Sequence, residues 1–193
     1  SDNGALVRYK GETIVKTPMN YNLAIEIAKD IISVPNCEVL LSGEKTAYIM
    51  PKTEEYLIRM TKVVQYKTTI IKSLDEIQED ILKVSVCDLS GIANSEKYFA
   101  DKWSDKAAAA VSGDQYMDFM DLCVSKGDAL KKVQKIYGID RSECMAFGDN
   151  YNDCEMLKQA EFSYAMASAA DDIKKNALYV TDSVEKILRG ELL

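Results

Sequence analysis

The chain opens with two short runs in which apolar and polar positions alternate. They are Ala5-Leu6-Val7-Arg8-Tyr9 and Thr13-Ile14-Val15-Lys16-Thr17, with Lys10-Gly11 between them. A period of two around a glycine predicts a β-hairpin. The period then lengthens. Leu23, Ala24, Ile27, Ala28, Ile31 and Ile32 recur at helical spacing behind Asn20 or Asn22 as N-cap. Residues 37–41 and 45–50 predict a second hairpin around Ser42-Gly43-Glu44, and Thr53 caps a helix running to about Tyr66. Residues 82–87 read as a strand and 92–103 as a helix. Residues 107–111 and 115–120 form a third hairpin around Ser112-Gly113-Asp114. Strands joined in hairpins, with helices between them, predict an α+β unit with an antiparallel sheet over residues 1–120.

The pattern changes near residue 121. Residues 126–137 predict a helix with Ala129, Leu130, Val133 and Ile136 on one face, stopped by Gly138. Short apolar strands at 144–147, 162–165 and 178–180 alternate with helices at 152–159, 170–175 and 182–188. Asp182 and Glu185 are spaced as a capping box for the last helix. Strand–helix alternation with short loops predicts a parallel α/β layer over residues 121–193.

Composition narrows the chemistry. A net charge of -7 disfavours a nucleic-acid partner, though a local lysine can still receive a small anion. No apolar run approaches the roughly 20 residues that span a bilayer, so no membrane partner is expected. The five cysteines are Cys37, Cys87, Cys123, Cys144 and Cys154; they are scattered and form no C-x-x-C. Reduced thiols, a cytoplasmic location and no zinc site are the expectation. The chain has no histidine, which removes Ser-His-Asp, Cys-His and His-metal chemistry.

The chemistry concentrates in Met145-Ala146-Phe147-Gly148-Asp149-Asn150-Tyr151-Asn152-Asp153. An apolar strand ends at a glycine and is followed by oxygen-bearing side chains, where parallel sheets place ligands. Asp149 and Asp153 are four residues apart and can face one side if a helix begins here. Hard oxygen donors without histidine or clustered thiolates favour Mg²⁺. Lys126, at a helix start after Val124-Ser125, can bring positive charge to a phosphate. The plainer alternative is a capped helix start with solvated acids and a surface lysine.

The stretches Val124-Ser125-Lys126-Gly127-Asp128-Ala129-Leu130 and Ala146-Phe147-Gly148-Asp149-Asn150-Tyr151-Asn152-Asp153 resemble the last two motifs of the haloacid dehalogenase superfamily, in its Cof-type phosphatase branch. Ala165-Met166-Ala167-Ser168-Ala169, followed by Lys174 and Val180-Thr181, resembles the branch's tail, and Asn3-Gly4-Ala5 the opening of its cap domain. The resemblance implies an α/β protein: an α+β cap of type IIB over 1–120, which selects substrate, and the C-terminal half of a Rossmann-like core over 121–193. It implies a Mg²⁺-dependent phosphatase acting on a small phosphorylated metabolite, such as a sugar phosphate, through an aspartyl-phosphate. By resemblance Lys126 stabilises charge on the phosphoryl group. Asp149 is the metal ligand, Asp153 supports the metal shell or holds Lys126, and Asn152 is the phosphate-side amide.

The branch's first motif, D-x-D-G-T, carries the nucleophile, and no D-x-D occurs in the chain. Val86-Cys87-Asp88-Leu89-Ser90-Gly91 imitates it with Ser90 in place of the second acid; Asp88 is read as an exposed strand-end acid. The expectation is a chain that starts at the cap, lacks about 60–90 residues of βα units, is inactive alone and can self-associate through an open sheet edge. A phosphomutase of the same superfamily and a non-catalytic binding module are the alternatives. Tyr98, Phe99 and Trp103 either line a pocket or pack in the core, with the core favoured.

Overall fold

The computed structural model describes residues 1–64 and 67–190. Contacts divide the chain into two compact units, Ser1–Val124 and Ser125–Leu193.

In the first unit, β1 (Leu6–Tyr9) and β2 (Glu12–Lys16) form the expected antiparallel hairpin. The helix α1 (Tyr21–Ser33) follows; of the two candidate caps Asn20 is the one used, its side chain accepting from the Leu23 amide. Then come β3 (Cys37–Ser42), β4 (Ala47–Ile49) and α2 (Glu54–Ile58), the last capped by Thr53. A π-helical turn, Arg59–Val63, continues α2. The expected helix end at Tyr66 lies outside the described residues. The unit is completed by β5 (Thr68–Ile70), β6 (Lys83–Asp88), α3 (Glu96–Trp103), β7 (Ala108–Gly113) and β8 (Tyr116–Met120).

The six strands pair in the order β5-β4-β3-β6-β8-β7. Their pairs are antiparallel except β4 with β5, which is parallel. The expected antiparallel sheet is thus present, with one parallel pair added at its edge. Thr68-Thr69-Ile70 is too short to show a period, and becomes a strand only by pairing with the edge of β4.

One sheet face packs Val39, Leu41, Val84, Val86, Met117 and Phe119 against Ile27 and Ile31 of α1 and Phe99 and Trp103 of α3. Phe99 and Trp103 are thus core residues, as favoured from sequence, while Tyr98 is exposed. Asp30 ties α1 to α3, accepting from the Tyr98 hydroxyl at 2.9 Å, the Lys102 ammonium at 2.5 Å and the Trp103 indole at 2.8 Å. The opposite face packs Leu40, Ala47, Ile49 and Cys87 against Tyr56 and Met60. Also buried is Asp118, which accepts from Ser85 at 2.6 Å and from Asn3 at 2.9 Å and pairs with Lys83 at 3.2 Å. Asn3 of the Asn-Gly-Ala motif therefore anchors the start of the chain to β8.

Asp88 is buried rather than exposed. Its carboxylate accepts from the Ser90 amide and hydroxyl and from the Ser95 hydroxyl. A turn acid placed before Ser and Gly caps its own loop, so this imitation of the first motif is a structural turn.

In the second unit, Ser125 caps α4 (Lys126–Tyr137), and Gly138 closes it with a left-handed φ of 66°. The strands β9 (Met145–Gly148), β10 (Phe162–Met166) and β11 (Tyr179–Thr181) alternate with α5 (Cys154–Gln159) and α6 (Asp171–Lys174), and α7 (Val184–Leu188) follows. The sheet is parallel, in the order β11-β10-β9. Its register places Phe147, Tyr164 and Tyr179 side by side, and their rings stack at 5.1 and 5.0 Å. Ala146, Leu157, Ala160, Ala169 and Ile173 form this unit's buried core. α5 and α4 approach closely where Gly127 stands. A Cβ on Gly127 of α4 would lie 2.6 Å from the Glu155 carbonyl carbon. The expected capping box at Asp182 is corrected: Ser183 is the N-cap, accepting from the Lys186 amide, and Asp182 stands one residue outside.

Two outcomes follow. Burial alone would raise the Asp30 pKa, but hydrogen bonds from Lys102, Trp103 and Tyr98 outweigh it and hold the carboxyl below its ordinary value. A depressed carboxyl contributes stability above its unfolded pKa that is lost as pH falls through the folded one. Asp30→Asn should cost about 1–2 kcal/mol at pH 7 and progressively less below about pH 4, in urea unfolding; a cost independent of pH would contradict this. Gly127→Ala should destabilise the second unit by about 1–3 kcal/mol, because overpacking against backbone exceeds the helix-propensity gain of about 1 kcal/mol. Thermal unfolding followed by near-UV dichroism would detect it.

Candidate phosphate and metal site at the end of strand β9

The candidate side chains come from three short pieces of the second unit. Ser125 turns the chain into α4 by accepting the Asp128 amide at 2.9 Å, which makes Lys126 the first helical residue. β9 ends at Gly148, and Asp149 and Asn150 form the loop beyond it. A 3-10 turn, Tyr151–Asp153, then leads into α5. Asn150 caps that turn, its side chain accepting the Tyr151 amide at 2.8 Å.

Asp153 is buried, and both of its oxygens are engaged. One lies 2.5 Å from the Lys126 ammonium. The other accepts the Asp149 amide at 3.0 Å and the Asn150 amide at 3.1 Å. A single carboxylate thus fixes both the lysine and the loop that carries Asp149. Gly148 makes room for it: a Cβ there would stand 2.5 Å from the Asp153 Cβ. The glycine in the Phe-Gly-Asp run is therefore required by close approach.

The expectation that Asp149 and Asp153 share one helix face needs correcting. Asp149 precedes the 3-10 turn, so the two acids lie on different elements. Asp153 folds back onto the loop while Asp149 points its charge outward and is exposed. The Asp149 carboxylate takes no hydrogen bond or ion pair from any described residue. Of the two roles implied for Asp153, holding Lys126 matches its contacts. Asn152 is half-buried on the 3-10 turn between them. The amides of Asp149 and Asn150 were missed in the sequence, because spacing reports side-chain faces and not which backbone donors a carboxylate will collect.

The donor set suits a hard cation in one respect. Mg²⁺ takes one or two protein carboxylates and fills its other positions with water and phosphate oxygens. Asp149 is one such carboxylate, with its lone pairs available. Among the described residues no group of three acidic or thiol side chains is arranged to hold a metal by itself. Lys126 is about one-third exposed, so its ammonium remains open to solvent while bonded to Asp153.

The tail motif lies at the matching ends of the neighbouring strands. The Ala167 amide donates to the Thr181 carbonyl at 2.7 Å, and the Ala169 amide to the Met166 carbonyl at 2.9 Å. Lys174 pairs loosely with Asp171 at 3.6 Å, as a solvated helix face does. All five cysteines are free thiols, and no described helix is long and apolar enough to cross a membrane.

Comparison with known proteins places this arrangement. A 5-amino-6-(5-phospho-D-ribitylamino)uracil phosphatase of Escherichia coli (strain K12) is 25% identical over 202 residues, covering 99% of this chain and 74% of that protein. The crystal structure of a Streptococcus mutans UA159 protein, SMU.1108c, superposes with a TM-score of 0.82 at 27% identity, over 98% of this chain and 74% of that one. A structure described as a subclass IIB sugar phosphatase, BT4131, superposes at 0.81 with 18% identity, over 98% of this chain and 73% of that one, a likeness of fold. The family model of haloacid dehalogenase-like hydrolases matches residues 1–187, and the chain belongs to that family.

Proposed function

We propose that this chain carries the phosphate- and Mg²⁺-binding half of a phosphatase that acts on a small phosphate monoester such as a sugar phosphate. The observation behind this is the division of labour between two acids: Asp153 is consumed in holding Lys126 and the loop, while the Asp149 carboxylate is exposed and takes no hydrogen bond from a described residue. On this reading residues 121–193 are the C-terminal half of the catalytic core and residues 1–120 the cap that selects substrate. The name of the Escherichia coli relative, which specifies a phosphorylated ribityl chain, supports that substrate class. Free thiols throughout suit a cytoplasmic protein.

Lys126 gives its ammonium to the phosphoryl oxygens, pre-oriented by Asp153 so that little ordering is needed when phosphate arrives. Asn152 offers a side-chain amide from the same turn. Asp149 would hold Mg²⁺, which when bound neutralises charge on the phosphoryl oxygens. The family's nucleophile belongs to a D-x-D motif, and none occurs in these 193 residues. Binding, rather than turnover by an aspartyl-phosphate route, is therefore the property to measure in this chain. The unpaired edges of the second unit's sheet, β9 and β11, give a route to self-association.

The test is a calorimetric titration of the chain with inorganic phosphate, with and without Mg²⁺. Mg²⁺ should tighten phosphate binding. Asp149→Asn should remove that enhancement, and Lys126→Met should weaken binding at least about tenfold, or 1.4 kcal/mol, in either condition. Equal affinity in all three proteins, or no binding to any, would overturn the assignment.

A further inference from the structure

Four buried acids in the chain, Glu38, Asp88, Asp118 and Asp153, each accept several hydrogen bonds. One cation is treated differently. Arg59 sits on the π-helical turn that continues α2, half-buried against the second face of the six-stranded sheet. Its guanidinium lies over the Tyr116 ring, 5.8 Å from the centroid. Its Nε is fully buried and has no hydrogen-bond partner. No carboxylate pairs with it among the described residues. A buried donor left unsatisfied costs about 1–3 kcal/mol, and single-turn π-helices recur at functional positions. Here the turn closes with the Val64 amide bonding the Arg59 carbonyl at 2.9 Å, which widens the helix where the arginine leaves it.

The neighbours cannot supply the missing charge. Burial pushes the Cys87 thiol up to about 11, so it is neutral at pH 7. Burial, aided by its contact with Cys87 and opposed by its hydrogen bond and charge interaction with Arg59, pushes the Tyr116 phenol up to about 12, so it is neutral too. Glu38, an acid of the same sheet face, is spent on the Lys52 and Thr53 amides and the Thr53 hydroxyl, at 2.9, 3.0 and 2.7 Å. Tyr56, Met60, Leu57 and Leu89 belong to the same apolar cluster as Cys87 and Tyr116. Low polarity strengthens whatever charge pairing does form.

We infer that Arg59 is a receptor for an oxyanion, a carboxylate or phosphate group of a small molecule, on the face of the first unit's sheet that α2 flanks. The planar guanidinium presents its Nε–H and an adjacent Nη–H as a two-pronged donor, which fits two oxygens of one anion better than a point charge would. The Tyr116 ring lies beside the guanidinium, its centroid 5.8 Å away. The inference stands on residues of the first unit alone and does not depend on the site around Asp149.

The side-chain Nε–H of an arginine is visible in nitrogen–proton correlation spectra, and the chain has only four arginines, Arg8, Arg59, Arg141 and Arg189. The Arg59 signal is identified by its loss in Arg59→Lys. Titration of the wild-type chain with ribose 5-phosphate, and separately with acetate, should shift that signal saturably, and sodium chloride at equal ionic strength should not. The response should persist in Asp149→Asn. In Arg59→Gln, the nearby Cys87 and Tyr116 amides should respond at least tenfold more weakly. No shift with either anion, a shift matched by chloride, or no protected Nε–H signal at all would overturn the inference. A silent Arg59 beside responsive Lys126 and Asp149 amides would defeat this inference alone and leave the phosphatase reading standing.

Discussion

The site in the second unit depends on one buried carboxylate. Asp153 reaches Lys126 across the gap between α5 and α4 and the amides of Asp149 and Asn150 across the end of β9. Burying an acid is costly unless its oxygens are fully used, and three donors meet that condition. The same contacts leave that acid no free oxygen, whereas the Asp149 carboxylate is exposed. Two glycines follow from this geometry. Gly148 admits Asp153 behind the strand end, and Gly127 admits the backbone of α5 beside Lys126. Residues that look like separate motif letters are thus one packing solution.

The first unit solves a different problem. Its central strands are buried on both faces, β3 at each of its six positions and β6 at all but the first. A partner is therefore valuable to each inward polar group, and the Ser42 Oγ of β3 is an exception that has none among the described residues. Asp118 finds Ser85, Asn3 and Lys83; Asp88 finds Ser90 and Ser95; Glu38 finds the start of α2. Against that pattern Arg59 stands out: its buried Nε has no hydrogen-bond partner, and its guanidinium meets the Tyr116 ring rather than a carboxylate of the described residues. A protein interior tolerates such a group where a ligand completes it, since the desolvation cost is then recovered on binding.

Membership of the haloacid dehalogenase-like hydrolases brings the two units together in terms of chemistry. A family that transfers phosphoryl groups relies on positioning and electrostatics more than on reactive side chains. A chain without histidine, with one lysine held by one acid and a second acid left open, fits that economy.

Much of this was legible in the amino-acid order. Period and turn residues located the three hairpins, α1 behind Asn20, α4 between Ser125 and Gly138, and the strand–helix alternation after residue 121, because these signals act over a few residues. The motif spacing likewise named Lys126, Asp149, Asn152 and Asp153. Other features depended on partners distant in the chain. Thr68-Thr69-Ile70 is a strand only beside β4, Asp88 is buried only because α3 brings Ser95 to it, and Asp153 bonds a lysine 27 positions earlier. The burial of the Arg59 Nε left no mark in the sequence at all. Local order fixes backbone preference and side-chain period, whereas the pairing of charges and donors is decided by which elements the packed core brings together.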